Sequence, residues 1–241
     1  MANLLLIFEG EKSEFEVVKS LSNHYLNEKE NILIQTAYCN DIYELYKQIV
    51  EDPDLDIFEL IRNIPSNKKI LEDFSRIDFA EIYMFFDYDG HDNLADDSHL
   101  LDLLNLFDQE TENGKLYISY PMVESIRHIP TNIDFKDLIV KAKKNIKYKK
   151  VVDEETEGQY KNINSYSREI WNHIIVMHTK KMNFITRDKF ELPKTIIHQS
   201  EILENQIEKY ISQHDSISVL NSFPIFILDY YGLNFIKKIA S

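Results

Sequence analysis

Cysteine, glycine and positive charge are scarce in this chain of 241 residues. A single cysteine, Cys39, rules out a disulfide within the chain and a zinc site built from cysteines. Only five glycines and six prolines punctuate the sequence, and no internal repeat or low-complexity linker is visible. No apolar run approaches the roughly 20 residues of a membrane-spanning helix. The opening residues run directly into an apolar segment without a basic stretch, unlike a signal peptide. A cytoplasmic protein without membrane contact is therefore expected. Lys and Arg number 27 against 41 Asp and Glu, a net charge of −14. That deficit argues against coating nucleic acid through general electrostatics, which relies on Lys and Arg to neutralise phosphates.

The deficit is uneven. Residues 77 to 114 contain eleven acids and no Lys or Arg, whereas residues 141 to 150 contain six lysines: Lys141, Lys143, Lys144, Lys147, Lys149 and Lys150. An acidic pocket beside a basic strip suits metal-dependent work on a polyanion; a lysine run also suits a solvated helix face. Apolar content of 44% supplies a core, and 28% charged residues fit a soluble globular protein. The length suits one large domain, or one domain with an appendage.

Two acidic turns stand out, each at the end of an apolar run: Leu4-Leu5-Leu6-Ile7-Phe8-Glu9-Gly10-Glu11 and Ile82-Tyr83-Met84-Phe85-Phe86-Asp87-Tyr88-Asp89-Gly90. Runs apolar at every position mark buried parallel strands, and open α/β sheets carry their chemistry at the carboxyl ends of the strands. Converging carboxylates repel unless a cation joins them, and hard oxygen donors suit Mg²⁺ or Mn²⁺. The period of two in an extended chain would aim Asp87 and Asp89 to the same side. Glu9, from a neighbouring strand end, would reach the same ion or act as a general base. The alternative is that these acids end strands and complement helix dipoles.

Alternation of strands and helices predicts an α/β fold with a parallel sheet. Strands are expected at 4–8, 31–38, 81–86 and 115–120. Helices are expected at 13–26, with Ser13 as N-cap, and at 41–51, 54–62, 69–76 and 96–107. Further on, helices are expected at 135–150, 165–181 and 200–213, a mobile polar loop at 153–164, and either a helix or an added strand at 223–231. The resulting division is an α/β core over residues 1–130 and a mostly helical part over 131–241.

At these turns the chain resembles the Toprim fold, the catalytic module of topoisomerases, primases and OLD-type nucleases. That fold places a Glu, usually followed by Gly, after its first strand and an Asp-x-Asp after its third. Glu9-Gly10 and Asp87-Tyr88-Asp89 stand at those places here. The RloB-like branch is the nearer likeness: its Glu-Gly-Glu-Lys-Thr-Glu opening is matched by Glu9-Gly10-Glu11-Lys12-Ser13-Glu14. Its Ser-x-Pro-x-x-Glu signature is matched by Ser119-Tyr120-Pro121-Met122-Val123-Glu124. The likeness covers the first 130 residues. It departs from the pattern after Asp89, where Gly90 and His91 stand in place of a further acid and Asp92 follows one position later. The resemblance implies a Toprim-like sheet and a Mg²⁺-dependent (or Mn²⁺-dependent) nuclease acting on DNA or RNA, transfer RNA included, in bacterial defence against phage. It makes Glu9, Asp87 and Asp89 the metal-linked catalytic acids and Glu124 an accessory group.

Other residues carry weaker signals. Glu11 and Glu14 fit the first turn of a helix; Lys12 and Lys115 suit a phosphate or plain exposure. His91 is a candidate for proton transfer or metal binding, His128 for facing the site one turn beyond Glu124, and Asp92, Asp96 and Asp97 for a solvated loop and helix start. Tyr117 and Tyr120 suit base stacking or the core. Two other readings remain open. Asp87-Tyr88-Asp89-Gly90 also resembles the nucleophile motif of haloacid-dehalogenase phosphatases, which normally ends in Thr or Ser where this chain has His91. A non-catalytic subunit is the second. Toprim proteins in defence systems are often paired with an ATPase, and this chain has no Gly-x-x-x-x-Gly-Lys-Ser/Thr loop, so a partner chain would supply any energy coupling. A symmetric homodimer is a further expected partnership.

Overall fold

The computed structural model describes residues 2–10, 12–26, 32–39, 42–52, 55–90 and 95–241. It divides into two compact units, one formed by Met1–Phe86 and Ser98–Tyr117, the other by Asp87–Asp97 and Ile118–Ser241. The expected division near residue 130 runs along the chain; these units are divisions in space, and the acidic turn after the third strand goes with the second.

The first unit is built on a mostly parallel sheet. Strand β1 (Ala2–Phe8) is followed by helix α1 (Ser13–His24) and strand β2 (Ile32–Tyr38). Helices α2 (Ile42–Glu51), α3 (Ile57–Asn63) and α4 (Lys68–Leu71) precede β3 (Phe79–Asp87). Helix α5 (Asp97–Leu106) leads to a short β4 (Asp108–Gln109) and to β5 (Gly114–Ser119). The strand order is β2-β1-β3-β5-β4. Strand β1 is parallel to both β2 and β3, with Phe8 opposite Tyr38 on one side and Phe85 on the other, while β4 is antiparallel to β5. A central parallel strand is covered on both faces, and Leu4 to Phe8 are accordingly all buried. Val17, Val18 and Leu21 of α1 are buried with them. The parallel register, with Phe8 opposite Phe85, brings the carboxyl ends of β1 and β3 to the same edge of the sheet. Helix α1 is capped by Lys12 without a side-chain bond, not by Ser13, which is already helical.

In the second unit a 3₁₀ turn at Val123–Arg127 is followed by one at Phe135–Asp137 and by strand β6 (Ile139–Lys141). Helices α6 (Tyr148–Glu155) and α7 (Arg168–Arg187) follow. Helix α8 (Gln199–Gln206) passes through a π-helical turn (Ile207–Ile211) into α9 (Ser212–His214). Strand β7 (Ser216–Ser218), antiparallel to β6, and helices α10 (Ser222–Tyr231) and α11 (Leu233–Ile239) complete it. Trp171, Ile174, Ile175, Met182 and Ile185 form the buried face of α7, and Phe223 to Leu228 of α10 are buried throughout. Residues 223–231 are thus a helix and not an added strand.

Two expectations fail here. The segment 135–150 is not one helix. Its carbonyls at Phe135, Lys136 and Leu138 are taken by the Lys181 ammonium of α7, at 2.6, 2.8 and 2.9 Å, and residues 139–141 pair with β7. Both partners are remote in sequence, so apolar spacing within the segment does not reveal them. The polar stretch 153–164 is not a free loop either: it ends α6 and makes two 3₁₀ turns, with Tyr160 and Tyr166 buried and the Tyr166 hydroxyl bonded to the Tyr160 carbonyl. Among the described residues, no helix is long and apolar enough to cross a membrane.

Candidate active site

The turn after β3 is anchored by Tyr88. Its ring is fully buried, its N–H donates to the carbonyls of Ser119 (3.0 Å) and Pro121 (3.1 Å), and its hydroxyl donates to Asp97 Oδ1 at 2.7 Å. Asp87 ends the strand and is only 8% exposed. Asp89 then turns into the left-handed region, φ 38°. The strand ends at Asp87, so the period of two of an extended chain no longer sets the direction of Asp89 relative to Asp87. Gly90 is needed for space: a Cβ there would lie 2.3 Å from Tyr88 Cε1 and 3.1 Å from the Ala142 carbonyl oxygen. Asp97 begins α5, as expected of a helix start, and there accepts the phenol and pairs with Lys143 at 3.4 Å.

This turn opens on a cavity of about 390 Å³ lined by Asp89, Gly90, Pro121, Met122 and most of residues 141–150. Lys141, Lys144, Lys147, Lys149 and Lys150 are all in its wall, together with Tyr148. The six lysines of the run are all exposed, but only Lys149 and Lys150 lie in a helix. The run leaves β6, turns at Lys147 in the left-handed region (φ 53°) and enters the first turn of α6. Lysines at a helix N-terminus are unfavourable with respect to the dipole, and the acidic residues nearby offset them.

Glu124 lies in a 3₁₀ turn (Val123–Arg127), 6% exposed, and pairs with Lys149 Nζ at 3.3 Å. The motif that carries it is held from the far end of the sequence. Ser119 Oγ meets Ser222 Oγ at 2.8 Å, and Asn221 Nδ2 donates to the Val123 carbonyl (2.9 Å) and to Ser125 Oγ (3.0 Å). The Tyr120–Pro121 peptide is cis.

His128 does not open on the cavity. It is fully buried, with Nδ1 2.9 Å from Tyr148 Oη and Nε2 3.0 Å from Glu155 Oε2. Burial pushes its pKa below the ordinary value, Glu155 opposes the shift, and the charges of Arg127 and Lys181 add to it. Burial raises the Tyr148 pKa well above the usual phenol value, and the carboxylates of Glu124, Glu155 and Asp87 push it the same way. Tyr117, stacked on Phe85 at 5.6 Å, and Tyr120, 6.0 Å from the Tyr88 ring, are core aromatics.

In the first unit Glu9 follows β1 and is partly exposed. Glu14 is buried, not simply a first-turn surface acid, and its carboxylate lies over Gly10: a Cβ there would be 2.8 Å from Glu14 Oε2. Glu11, His91 and Asp92 lie outside the described residues. Among the described residues no three His, Cys, Asp or Glu side chains gather to hold a metal ion. The donor chemistry of the β3 turn nevertheless suits Mg²⁺, which takes one or two carboxylates and completes its shell with water and substrate phosphate. Asp87 and Asp89 are the residues that would hold it.

Sequence reasoning missed Tyr148, Glu155, Asn221 and Lys181. Tyr148 had a signal, as the one aromatic inside the lysine run. The other three act on partners 27 to 98 residues away, and apart from the place of Asn221 as N-cap of α10 nothing local marks them. No protein-family model, curated protein or solved structure matches the chain.

Proposed function

We propose that this protein is a Mg²⁺- or Mn²⁺-dependent nuclease of the Toprim type, acting as an effector of phage defence. The observation that supports this reading is the cavity of the second unit, where Asp89 and the lysine-rich segment 141–150 share one wall. A phosphodiester is an anion, so carboxylates alone would repel it; lysines attract it, and Asp87 and Asp89 suit a cation beside it. A bound divalent ion would supply charge neutralisation at the phosphoryl oxygens. The lysines orient the diester, and Lys149 of the cavity wall pairs with Glu124. Glu9 enters the proposal through its motif alone. With a net charge of −14, binding away from this basic segment is weak, which favours a shaped substrate or a partner chain.

The test incubates the purified protein with supercoiled plasmid, single-stranded DNA and total RNA, in Mg²⁺, Mn²⁺ or chelator, beside Asp87→Asn, Asp89→Asn and Glu9→Gln. Metal-dependent cutting that drops at least roughly 10²-fold in the aspartate variants supports the assignment. Cutting that survives both substitutions refutes the mechanism. A wild-type protein that cuts nothing returns the cavity to a non-catalytic subunit of an ATPase-containing complex, and a phosphoryl group trapped on Asp87 would mark a phosphatase.

A further inference from the structure

The hydrogen-bonded row Tyr148–His128–Glu155 has no part in the site described so far, yet one end of it lines the cavity. Its protonation follows from its surroundings. Glu155 is 46% exposed at its side chain and its oxygen lies 3.0 Å from His128 Nε2, so as a carboxylate it accepts the Nε2–H. Neutral His128 then has its lone pair on Nδ1, which accepts the phenolic hydrogen of Tyr148 at 2.9 Å. With its hydrogen turned to His128, the Tyr148 oxygen offers only lone pairs to other groups. The carboxylates of Glu124 and Asp87 act on the phenol through their charge, and its oxygen can accept only from a donor such as water or a lysine. Nucleophile, base and orienting acid stand in the same order in the Ser-His-Asp type of relay.

We propose that Tyr148 accepts the proton of the attacking water in this cavity, with His128 and Glu155 as positioning residues behind it; the proposal rests on the phosphodiester-cleaving reading of the same site. In the step, the water O–H bond breaks and its proton passes to Tyr148 Oη as the phenolic proton moves to His128 Nδ1. The hydroxide forms a bond to phosphorus, the bond from phosphorus to the leaving oxygen breaks, and that oxygen takes a proton from solvent. The imidazolium, held by Glu155, returns its proton through Tyr148 to water. The net change is one water consumed per diester cleaved.

The charged groups around His128 set the pH dependence. Glu155 and Tyr148 are bonded to it, and Arg127 (itself paired with Asp153 at 2.7 Å) and Lys181 add positive field. Once protonated, His128 no longer accepts from Tyr148, so activity falls as pH drops through its pKa, which burial holds below the ordinary histidine value. Glu155→Gln removes the one charge that raises this pKa, so the acid limb moves to lower pH.

The experiment measures kcat, KM and the pH profile on whichever nucleic acid the wild type cuts, for wild type, Tyr148→Phe, His128→Gln and Glu155→Gln, with Asp87→Asn alongside and thermal unfolding of each. Expected for Tyr148→Phe is a kcat loss of roughly 10²–10⁴-fold at little change in KM, and for Glu155→Gln a displaced acid limb. Variants that melt earlier but keep the wild-type kcat and limb show a packing role and overturn the relay alone, while Asp87→Asn still reports the nuclease. A wild type that cuts nothing overturns the parent reading and the relay with it.

Discussion

Replacing Lys181 by Met tests the most unusual buried charge in the molecule. The ammonium is fully buried on α7, donates to three carbonyls of residues 135–138 and lies 5.2 Å from the Phe135 ring centre. Burial pushes its pKa down to about 7, with Asp137 and Asp134 pulling weakly upward. Methionine matches its length and removes the donors. Two carbonyls keep a backbone partner, Phe135 from Leu138 N–H at 3.3 Å and Leu138 from Val219 N–H at 3.1 Å. The Lys136 carbonyl is the one most exposed to the loss, so the variant is destabilised by about 1–3 kcal/mol at pH 7. The larger signature is in the pH dependence. The unfolded chain keeps this proton up to about pH 10.4, while the folded protein releases it near 7. Between those values the unfolded state binds more protons, so wild-type stability rises with pH. That contribution is absent below pH 7, where both states are protonated, and absent from the variant everywhere. The gap between the two proteins should widen by roughly 2–3 kcal/mol from pH 7 to pH 9. Urea unfolding followed by fluorescence of the single tryptophan, Trp171, reads this directly, since it is fully buried on the same helix. The histidines that feel the Lys181 charge, His128 and His178, are both held below the ordinary histidine value by burial and are neutral across this window, so the difference reports Lys181. Wild-type and variant curves that run parallel between pH 7 and 9 would refute the reasoning.

Three further outcomes can be checked, two at the cavity and one away from it. Gly90→Ala forces a methyl against a fully buried ring and a backbone oxygen, so it should destabilise by about 1–3 kcal/mol and lower cleavage. Gly158→Ala, with nothing within 4 Å of the new Cβ, should stay within about 0.5 kcal/mol in the same melts. Replacing Lys144, Lys147 and Lys150 together by Gln should raise KM with little effect on kcat. It should also flatten the salt dependence of duplex DNA binding by about 0.9 in log–log slope for each phosphate that is no longer neutralised; an unchanged slope would remove these lysines from substrate binding.

Much of the first unit was legible because its signals are local. Leu4 to Phe8 and Ile82 to Phe86 are unbroken apolar runs, and a strand buried on both faces requires just that. The glycines after Glu9 and Asp89 marked places where a side chain would collide, with the Glu14 carboxylate in one case and the Tyr88 ring in the other. The second unit was harder to read. Residues 135–150 have helical spacing, but their carbonyls bond to Lys181 and their strand pairs with residues 216–218. The lysine run announced its charge and not its place.

From the sequence alone came the α/β class, the parallel strands and the two acidic turns that end them, because burial of a central strand and tight turning are written in neighbouring residues. Tertiary structure alone decided that Asp89 leaves the extended conformation, that the lysine run shares a cavity with it, that Glu124 pairs with Lys149, and that Tyr148, His128 and Glu155 stand in a row. Each of these depends on groups brought together across many residues by a buried core, and the order of residues along the chain carries no record of such a meeting.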